Sequence, residues 1–232
     1  MIKVENIDVW GFEHAIRGMR NPMNSWDKSD SEEKYWCTTL GPNEKLHYCN
    51  NCGYDACSPY SQDPVFVVGQ NDLDLMKRLY KAGTEHRTYA RMIQCSMDIT
   101  APLYWWKEMD RYTVGKSQVS CSTMHKIAAK EFTFDDFSVD HLEDFSWNRF
   151  YDLITHMNIC REKYLETKDK KWWWQLIQLL PTSYNQRRTI CMSYETVFKI
   201  IKERTGHKLD EWNDFVKILK DLPYVKDITE VK

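Results

Sequence analysis

Two short stretches of the sequence place cations beside glycine and hydroxyl groups, which together can bind a phosphate. The first stretch begins at Arg111 and continues through Gly115, Lys116, Ser117, Gln118, Ser120 and Ser122. The second is Arg204-Thr205-Gly206-His207-Lys208. Basic residues and glycine are also ordinary signals at the end of a helix, so either stretch alone can equally be solvated surface.

Cysteines form the second group that could do chemistry. Cys49 and Cys52 are separated by two residues, Cys57 follows, and Cys37 and His47 precede them. Zinc binds four thiolate or imidazole ligands, and a pair of ligands two residues apart is the usual half-site. The spacing therefore predicts a structural zinc bound by Cys37, Cys49, Cys52 and Cys57. The alternative is reduced cysteines without metal, and a third interpretation of the chain is a zinc-stapled interaction module.

The overall charge excludes some classes of partner. The 232 residues include 32 Lys+Arg and 34 Asp+Glu, for a net charge of -2. This balance gives no general attraction to nucleic acid or to an acidic membrane. No segment approaches the ~20 apolar residues of a membrane helix, and the N-terminus has no apolar signal region. We therefore expect a cytoplasmic protein with reduced thiols and neither nucleic acid nor a membrane as partner.

Hydrophobic periodicity predicts the elements that must position these residues. Helical periods occur over residues 71–83, 147–164, 171–181, 194–204 and 209–219, and in a helix that starts near Pro102. Alternation predicts strands over residues 92–100 and 187–194. This mixture indicates an α+β (mixed α/β) fold in a single domain spanning residues 1–232. Residues 24–70 have the composition of a long cysteine-containing loop or insertion.

The order of these elements resembles that of the flavin-dependent thymidylate synthases, over roughly residues 70–216. A helix ending in Tyr80-Lys81-Ala82-Gly83 leads to the strand 92–100, and a helix after Ala101-Pro102 runs into the position of the family signature, Arg-His-Arg-x-x-Ser-x-Asn-Glu. Later, Leu179-Leu180-Pro181 precedes a strand and a helix that end in Arg204, with His207 close behind.

The resemblance implies helices packed around a twisted β-sheet and a methyltransferase of nucleotide biosynthesis. Members of the family methylate dUMP with FAD, NADPH and methylene-tetrahydrofolate, in a homotetramer with sites between subunits. Arg204 matches the arginine that grips and polarises the nucleotide, so it is assigned to catalysis and substrate binding. Three residues are assigned to FAD, namely Arg111, His86 and Ser193. Four more are assigned to the nucleotide, namely Ser117, Gln118, Ser120 and Ser122.

The signature positions differ from the family pattern at several residues. Tyr112 stands in place of the histidine, Thr113 in place of the second arginine, and Lys116 in place of the serine. Val119 replaces the glutamate, and Ser193 replaces an asparagine that faces the flavin. A second hypothesis is therefore a non-catalytic nucleotide-binding or assembly protein that kept the fold and lost the flavin chemistry.

Two further features leave alternatives open. His86 and His125 could contact a nucleotide or transfer a proton, or could be ordinary hydrogen-bonded histidines. The run Trp172-Trp173-Trp174 could stack on bases. Three consecutive residues cannot share one helical face, so core and subunit contacts are the other interpretation.

Overall fold

The computed structural model describes residues 2–34 and 65–230. The strands are β1 (Lys3–Trp10), β2 (Glu32–Lys34), β3 (Val65–Val67), β4 (Gln94–Pro102), β5 (Lys116–Ser120) and β6 (Asn185–Ser193). The helices are α1 (Phe12–Arg20), α2 (Gln70–Ala82), α3 (Leu103–Met109), α4 (Thr123–Lys126), α5 (Asp144–Thr167), α6 (Lys170–Leu179), α7 (Tyr194–Arg204), α8 (Asp210–Lys220) and α9 (Val225–Thr229). The prediction of an α+β fold is confirmed.

The chain divides into two compact units. The first comprises Met1–Val9 and Gln94–Leu222, and the second comprises Trp10–Ile93 and Pro223–Lys232. The first unit contains the larger sheet and the helices from α3 to α8. The single domain expected from the sequence over residues 1–232 stays a prediction.

The sheet of the first unit has the strand order β1-β4-β6-β5. β6 pairs antiparallel with both β4 and β5. On one face Met97, Ile99 and Ile190 are buried, whereas Asp98 is only half-buried and its cross-strand neighbour Thr189 is exposed. This alternation is the pattern that predicted β4 and β6 from the sequence.

A cluster of aromatic rings forms one core of the first unit. The Trp105 ring, on α3, lies 4.8 Å from Trp106, 4.7 Å from Trp212 and 5.3 Å from Phe215. These four side chains have no measurable exposure. Burial of such large rings fixes α3 against α8, and this contact determines where the end of α3 points.

A second core cluster of the first unit lies around α5 and α6. Ile154, Met157 and Cys160 of α5 and Leu176 of α6 are buried together with residues from the segment that follows α4. Trp172 and Trp173 are half-buried against this cluster. Trp174 is 43% exposed, so the three tryptophans divide between core and surface.

The second unit is organised around a buried ion pair. Nε of Arg20 donates to Oδ1 of Asp72 at 2.6 Å, and the side chains are 5% and 0% exposed. Asp72 also accepts hydrogen bonds from the hydroxyls of Ser29 and Ser31 at 2.7 and 2.6 Å. Burial would raise the pKa of Asp72, but these hydrogen bonds and the Arg20 charge outweigh it and lower the pKa.

The start of α2 is capped by a side chain from another part of the second unit. Gly69 occupies the N-cap position, and the carboxylate of Asp30 accepts the backbone N–H groups of Asn71 at 2.9 Å and Asp72 at 3.2 Å. A carboxylate about 40 positions away in the sequence thus accepts the N-terminal N–H groups that a local N-cap side chain would otherwise accept.

The predicted irregular stretch 24–70 contains regular structure at both of its ends. A 3₁₀ turn covers Trp26–Lys28, and β2 pairs antiparallel with β3. The predicted zinc ligands Cys37, Cys49, Cys52 and Cys57 lie outside the described residues.

Candidate functional site at the end of helix α3

Arg204, the residue predicted to grip a nucleotide, is buried at the end of α7 within the first unit. It is 7% exposed. Its Nη1 donates to Oε2 of Glu108 at 2.6 Å, and its Nε donates to the hydroxyl of Tyr112 at 2.8 Å. The guanidinium also lies 4.6 Å from the centre of the Trp212 ring. Arg204 therefore has a carboxylate, a phenol and an aromatic face as partners.

The neighbours of Arg204 hold one another in place. The Tyr112 hydroxyl donates to Oε2 of Glu203 at 2.9 Å. Nδ1 of His207 accepts the backbone N–H of Leu209 at 3.1 Å, and Nε2 of His207 lies 3.1 Å from Nη1 of Arg204. The predicted cluster of Arg204 and His207 is thus brought together at one helix end.

Burial and hydrogen bonding act in opposite directions on these groups. Burial disfavours the charged form of Arg204, but its hydrogen bonds and the nearby charge of Glu108 outweigh burial and raise the pKa. Burial raises the pKa of Tyr112, and the bond from Arg204 opposes that rise. The tyrosine is thus a neutral donor and acceptor, and the arginine is a fixed cation.

A second polar cluster surrounds Asp110, just after α3. Its Oδ1 accepts hydrogen bonds from Nη1 of Arg188 and from Nε2 of Gln118, both at 2.8 Å. Nζ of Lys116 donates to the carbonyl oxygen of Met109 at 3.0 Å. The Lys116 side chain is 4% exposed, and burial lowers its pKa. Lys116 and Gln118 thus bind the end of α3.

Arg111 differs from these paired cations. Its backbone N–H donates to the carbonyl oxygen of Glu108 at 3.3 Å, which places it at the same helix end as Arg204's partner. The residue is exposed, and within the described part of the chain its guanidinium forms no ion pair. A free guanidinium at a helix end, next to a loop with Gly115, is available to an anion from solution.

The predicted hydroxyl-rich loop after Arg111 is an edge strand. β5 pairs with β6 so that Ser117 lies opposite Cys191, and Gln118 lies opposite the buried Ile190. Because side chains alternate along a strand, Ser117 points to one face of the sheet and Gln118 and Ser120 point to the other. The predicted nucleotide ligands are therefore divided between two faces that meet at the strand edge.

Ser122 and Ser193 use their polar groups within the chain. The Ser122 hydroxyl accepts the backbone N–H of His125 at 3.3 Å and caps α4. Ser193 is buried, its hydroxyl lies 3.3 Å from that of Thr196, and its N–H donates to the Gly115 carbonyl at 2.9 Å. In this structure Ser193 fixes the turn that leads into β5.

His86 belongs to the second unit. The residue is exposed, and its backbone N–H donates to the carbonyl oxygen of Gly83 at 3.1 Å. Its predicted role in binding a flavin stays a prediction.

The sequence did not reveal the acidic partners of the site. Glu108 pairs with Arg204 from 96 positions away, and Asp110 pairs with Arg188 from 78 positions away. Both carboxylates are visible beside Arg111 in the sequence, but no local pattern indicates which distant cation each one meets.

Two classes of feature are absent from the described ranges 2–34 and 65–230. These residues contain no cluster of three or more His, Cys, Asp and Glu side chains suited to a metal ion. Among them, no helix combines the length and the apolar content needed to cross a membrane.

Comparison with known proteins relates the fold to one class of enzyme. No family model and no curated protein sequence matches the chain. Two solved structures of the flavin-dependent thymidylate synthase ThyX from Helicobacter pylori, each with FAD and dUMP, match it with TM-scores of 0.65 and 0.64 at 14% identity. The matches cover 98% and 99% of this chain, and 96% and 97% of the ThyX chains.

The fold is therefore that of the flavin-dependent thymidylate synthases, as the sequence resemblance implied. At 14% identity the likeness establishes the fold and not the reaction.

Proposed function

We propose that this protein is a divergent flavin-dependent thymidylate synthase that methylates dUMP or acts on a related pyrimidine nucleotide. The observation that carries the proposal is the match, over nearly the whole chain, to structures that contain FAD and dUMP. The exposed Arg111 at the end of α3 supports it, because a nucleotide phosphate needs such a cation. The chemistry that FAD would supply when bound is hydride transfer, with NADPH as reductant and methylene-tetrahydrofolate as carbon donor.

The edge position of β5 supports a phosphate site beside Arg111. Among the described strands β5 pairs only with β6, so its other edge is not covered by a strand. A ligand lying along that edge reaches Ser117 on one face and Ser120 on the other. Arg111 would add a bidentate contact to the phosphate.

Arg204 can contact a nucleotide only in competition with Glu108. Its guanidinium already pairs with that carboxylate at 2.6 Å. An anionic ligand must therefore displace the Glu108 carboxylate or share the guanidinium with it. The substitution Glu108→Gln keeps a hydrogen-bonding side chain of the same size and removes the competing charge. If Arg204 binds the nucleotide, Glu108→Gln should therefore tighten the binding of dUMP.

Calorimetric titration with dUMP tests the proposal. Arg111→Ala should weaken binding about 10- to 150-fold, the range expected when one charged partner of a hydrogen bond is removed. Lys202→Gln is the matched control, because Lys202 is an exposed cation of α7 that forms no hydrogen bond or ion pair with the described residues. Absence of any response of the wild-type protein to millimolar dUMP would contradict the nucleotide site and the enzyme together.

The residues assigned to the flavin fit it only in part. Arg111 and His86 are exposed and can donate to a phosphate, whereas the Ser193 hydroxyl is buried beside Thr196. We therefore propose a phosphate contact for Arg111 alone. A flavin absorbance band in the purified protein would support this part of the proposal. A colourless protein that does not bind added FAD would rule it out.

A second candidate is a nucleotide-binding or assembly protein without catalysis. The observation that favours it is the closed set of partners around Arg204, which includes Tyr112 in place of the family's histidine. Complementation of a thymidine auxotroph separates the two candidates. Growth without thymidine would exclude the non-catalytic one.

Assembly as a homotetramer, with sites shared between subunits, belongs to the same proposal. An exposed edge strand beside Arg111 is compatible with a site that a second subunit completes. Light scattering that finds only monomers at micromolar concentration would contradict the shared site.

A further inference from the structure

A cavity of about 530 Å³ lies within the first unit, and none of the residues assigned above to FAD or dUMP lines it. Ile127 and Ala128 line it and are buried, while Tyr164 and Trp173 provide aromatic rings. Lys168 and Lys170 also line it. We propose that this cavity is a second binding site, for a nucleoside monophosphate.

The aromatic lining is held in place before any ligand arrives. The indole N–H of Trp173 donates to the carbonyl oxygen of Met124 at 3.1 Å. Tyr164 and Trp173 are half-buried against the core cluster around α5 and α6. A ring whose position is already fixed loses little further freedom when a base stacks on it.

Two lysines of the cavity have no carboxylate partner among residues 2–34 and 65–230. Within the described residues neither Lys168 nor Lys170 forms an ion pair, and their ammonium groups lie 6.0 Å from the Tyr164 ring and 5.8 Å from the Trp174 ring. Lys171, by contrast, pairs with Asp169 at 3.2 Å. The cavity therefore combines uncompensated positive charge with aromatic surface.

The backbone conformation of Lys168 allows its charge to be removed by substitution with glycine. Lys168 ends α5 in the left-handed conformation, with φ of 56°. Glycine is the usual residue at that position because it has no Cβ. Lys168→Gly therefore removes the charge while it relieves the backbone, so a loss of binding cannot be attributed to unfolding.

The size and charge of the cavity select the class of ligand. Sites for small molecules are roughly 300–1,000 Å³ in volume, and a phosphate monoester carries about two negative charges near pH 7. Two free ammonium groups match that charge, and the rings match a base. Inorganic phosphate would leave the rings unused. A nucleic acid needs a longer basic surface than these residues provide.

Calorimetry with GMP as the probe tests the site. A purine nucleotide is used because the site of the proposed function is expected to bind a pyrimidine nucleotide. Lys168→Gly and Lys170→Gln should each weaken GMP binding about tenfold or more. Trp173→Leu should weaken it at least about fivefold through lost stacking. Lys202→Gln should change it by less than about twofold, since the charge removed is not in the cavity.

The proposed function and this site can fail independently. Arg111→Ala should weaken dUMP binding and leave GMP binding unchanged. If Arg111→Ala weakens GMP binding as strongly as Lys168→Gly does, GMP occupies the other site and the proposal is wrong.

Three other results would overturn the proposal. The first is no response to millimolar GMP in the wild-type protein. The second is inorganic phosphate that binds as tightly as GMP, which would indicate an anion site only. The third is an affinity for single-stranded oligonucleotides that rises with length, which would indicate a nucleic-acid surface.

Discussion

The hydroxyl of Tyr112 accepts a hydrogen bond from Nε of Arg204 at 2.8 Å, across 92 positions of sequence. The same hydroxyl donates to Glu203 at 2.9 Å. One phenol oxygen thus joins the end of α3 to the last turn of α7. The tyrosine that stands in place of the family's histidine therefore has a structural role in this chain.

Removing that hydroxyl should destabilise the fold. Tyr112→Phe leaves Nε of Arg204 without its acceptor in a buried environment, which typically costs about 1–3 kcal/mol. Denaturant unfolding measures the change in the free energy of unfolding. Tyr151→Phe is the control, because Tyr151 is 60% exposed and its change should lie within about 0.5 kcal/mol. Equal effects of the two substitutions would contradict the role of the Tyr112 hydroxyl.

Breaking the ion pair between Arg20 and Asp72 in the second unit should lower the free energy of unfolding more than Tyr112→Phe does. Asp72→Asn leaves Arg20 buried without a counter-charge, and breaking such a pair typically costs about 3–5 kcal/mol. Asp74→Asn tests the same substitution on the same helix, where the side chain is 55% exposed. Urea unfolding followed by circular dichroism should show a large loss for Asp72→Asn and a small one for Asp74→Asn. A small loss for both would show that Arg20 finds another partner.

Asp98 should make stability depend on acid pH. Hydrogen bonds from Thr189, Asn6 and Arg187 lower its pKa to about 2. A carboxyl with a lowered folded pKa adds stability above its unfolded pKa of about 3.9, and this stability is lost as the pH falls through the folded value.

The stability difference between wild type and Asp98→Asn should therefore be constant above about pH 5 and shrink between about pH 4 and pH 2. Thr189→Val removes the hydrogen bond that contributes most to the shift, so in that background the dependence should be weaker. Unfolding curves collected from pH 2 to pH 6 measure both effects. A difference that does not change over this range would contradict the lowered pKa.

Gly115 and Gly206 form a matched pair for a test of the turn before β5. Both have positive φ, at +66° and +74°. A Cβ at Gly115 would lie 2.7 Å from the Ser193 hydroxyl, whereas at Gly206 nothing lies within 4 Å. Each alanine should cost about 1–2 kcal/mol for the left-handed backbone, and Gly115→Ala should cost more. Adding Ser193→Ala to Gly115→Ala should restore part of this extra loss of stability, as measured by thermal unfolding. If stability is not restored, the contact with the Ser193 hydroxyl is not the cause of the loss.

The sequence predicted the elements whose two faces differ in environment. The buried positions of β4 and β6 alternate, and α7 and α8 have apolar residues at helical spacing, so periodicity identified all four. The strands β1 and β5 were missed. Most of their residues are exposed on both faces, so no alternation marks them. An edge strand with two solvated faces has the composition of a loop.

The sequence predicted the positions of the two arginines in the candidate site but not their partners. The positions of Arg111 and Arg204 follow from local features, namely the ends of two helices. The pairing of Arg204 with Glu108 depends on how α3 and α7 pack, which no short stretch of sequence records. Local sequence signals thus predicted the positions of the two arginines. Tertiary packing determines that Arg204 pairs with a carboxylate and that Arg111 forms no ion pair within the described residues.

The register of β2 and β3 determines where the described chain leaves the second unit and where it returns. Lys34 lies opposite Val65, and paired Cα atoms in an antiparallel ladder are about 5 Å apart. Just before β2, the carboxylate of Asp30 accepts two backbone N–H groups at the start of α2. The chain therefore leaves the described part of the second unit at Lys34 and re-enters it at Val65, at neighbouring positions of one antiparallel pair. The positions of Lys34 and Val65 are thus set by contacts among β2, β3 and the start of α2, all of them made by described residues.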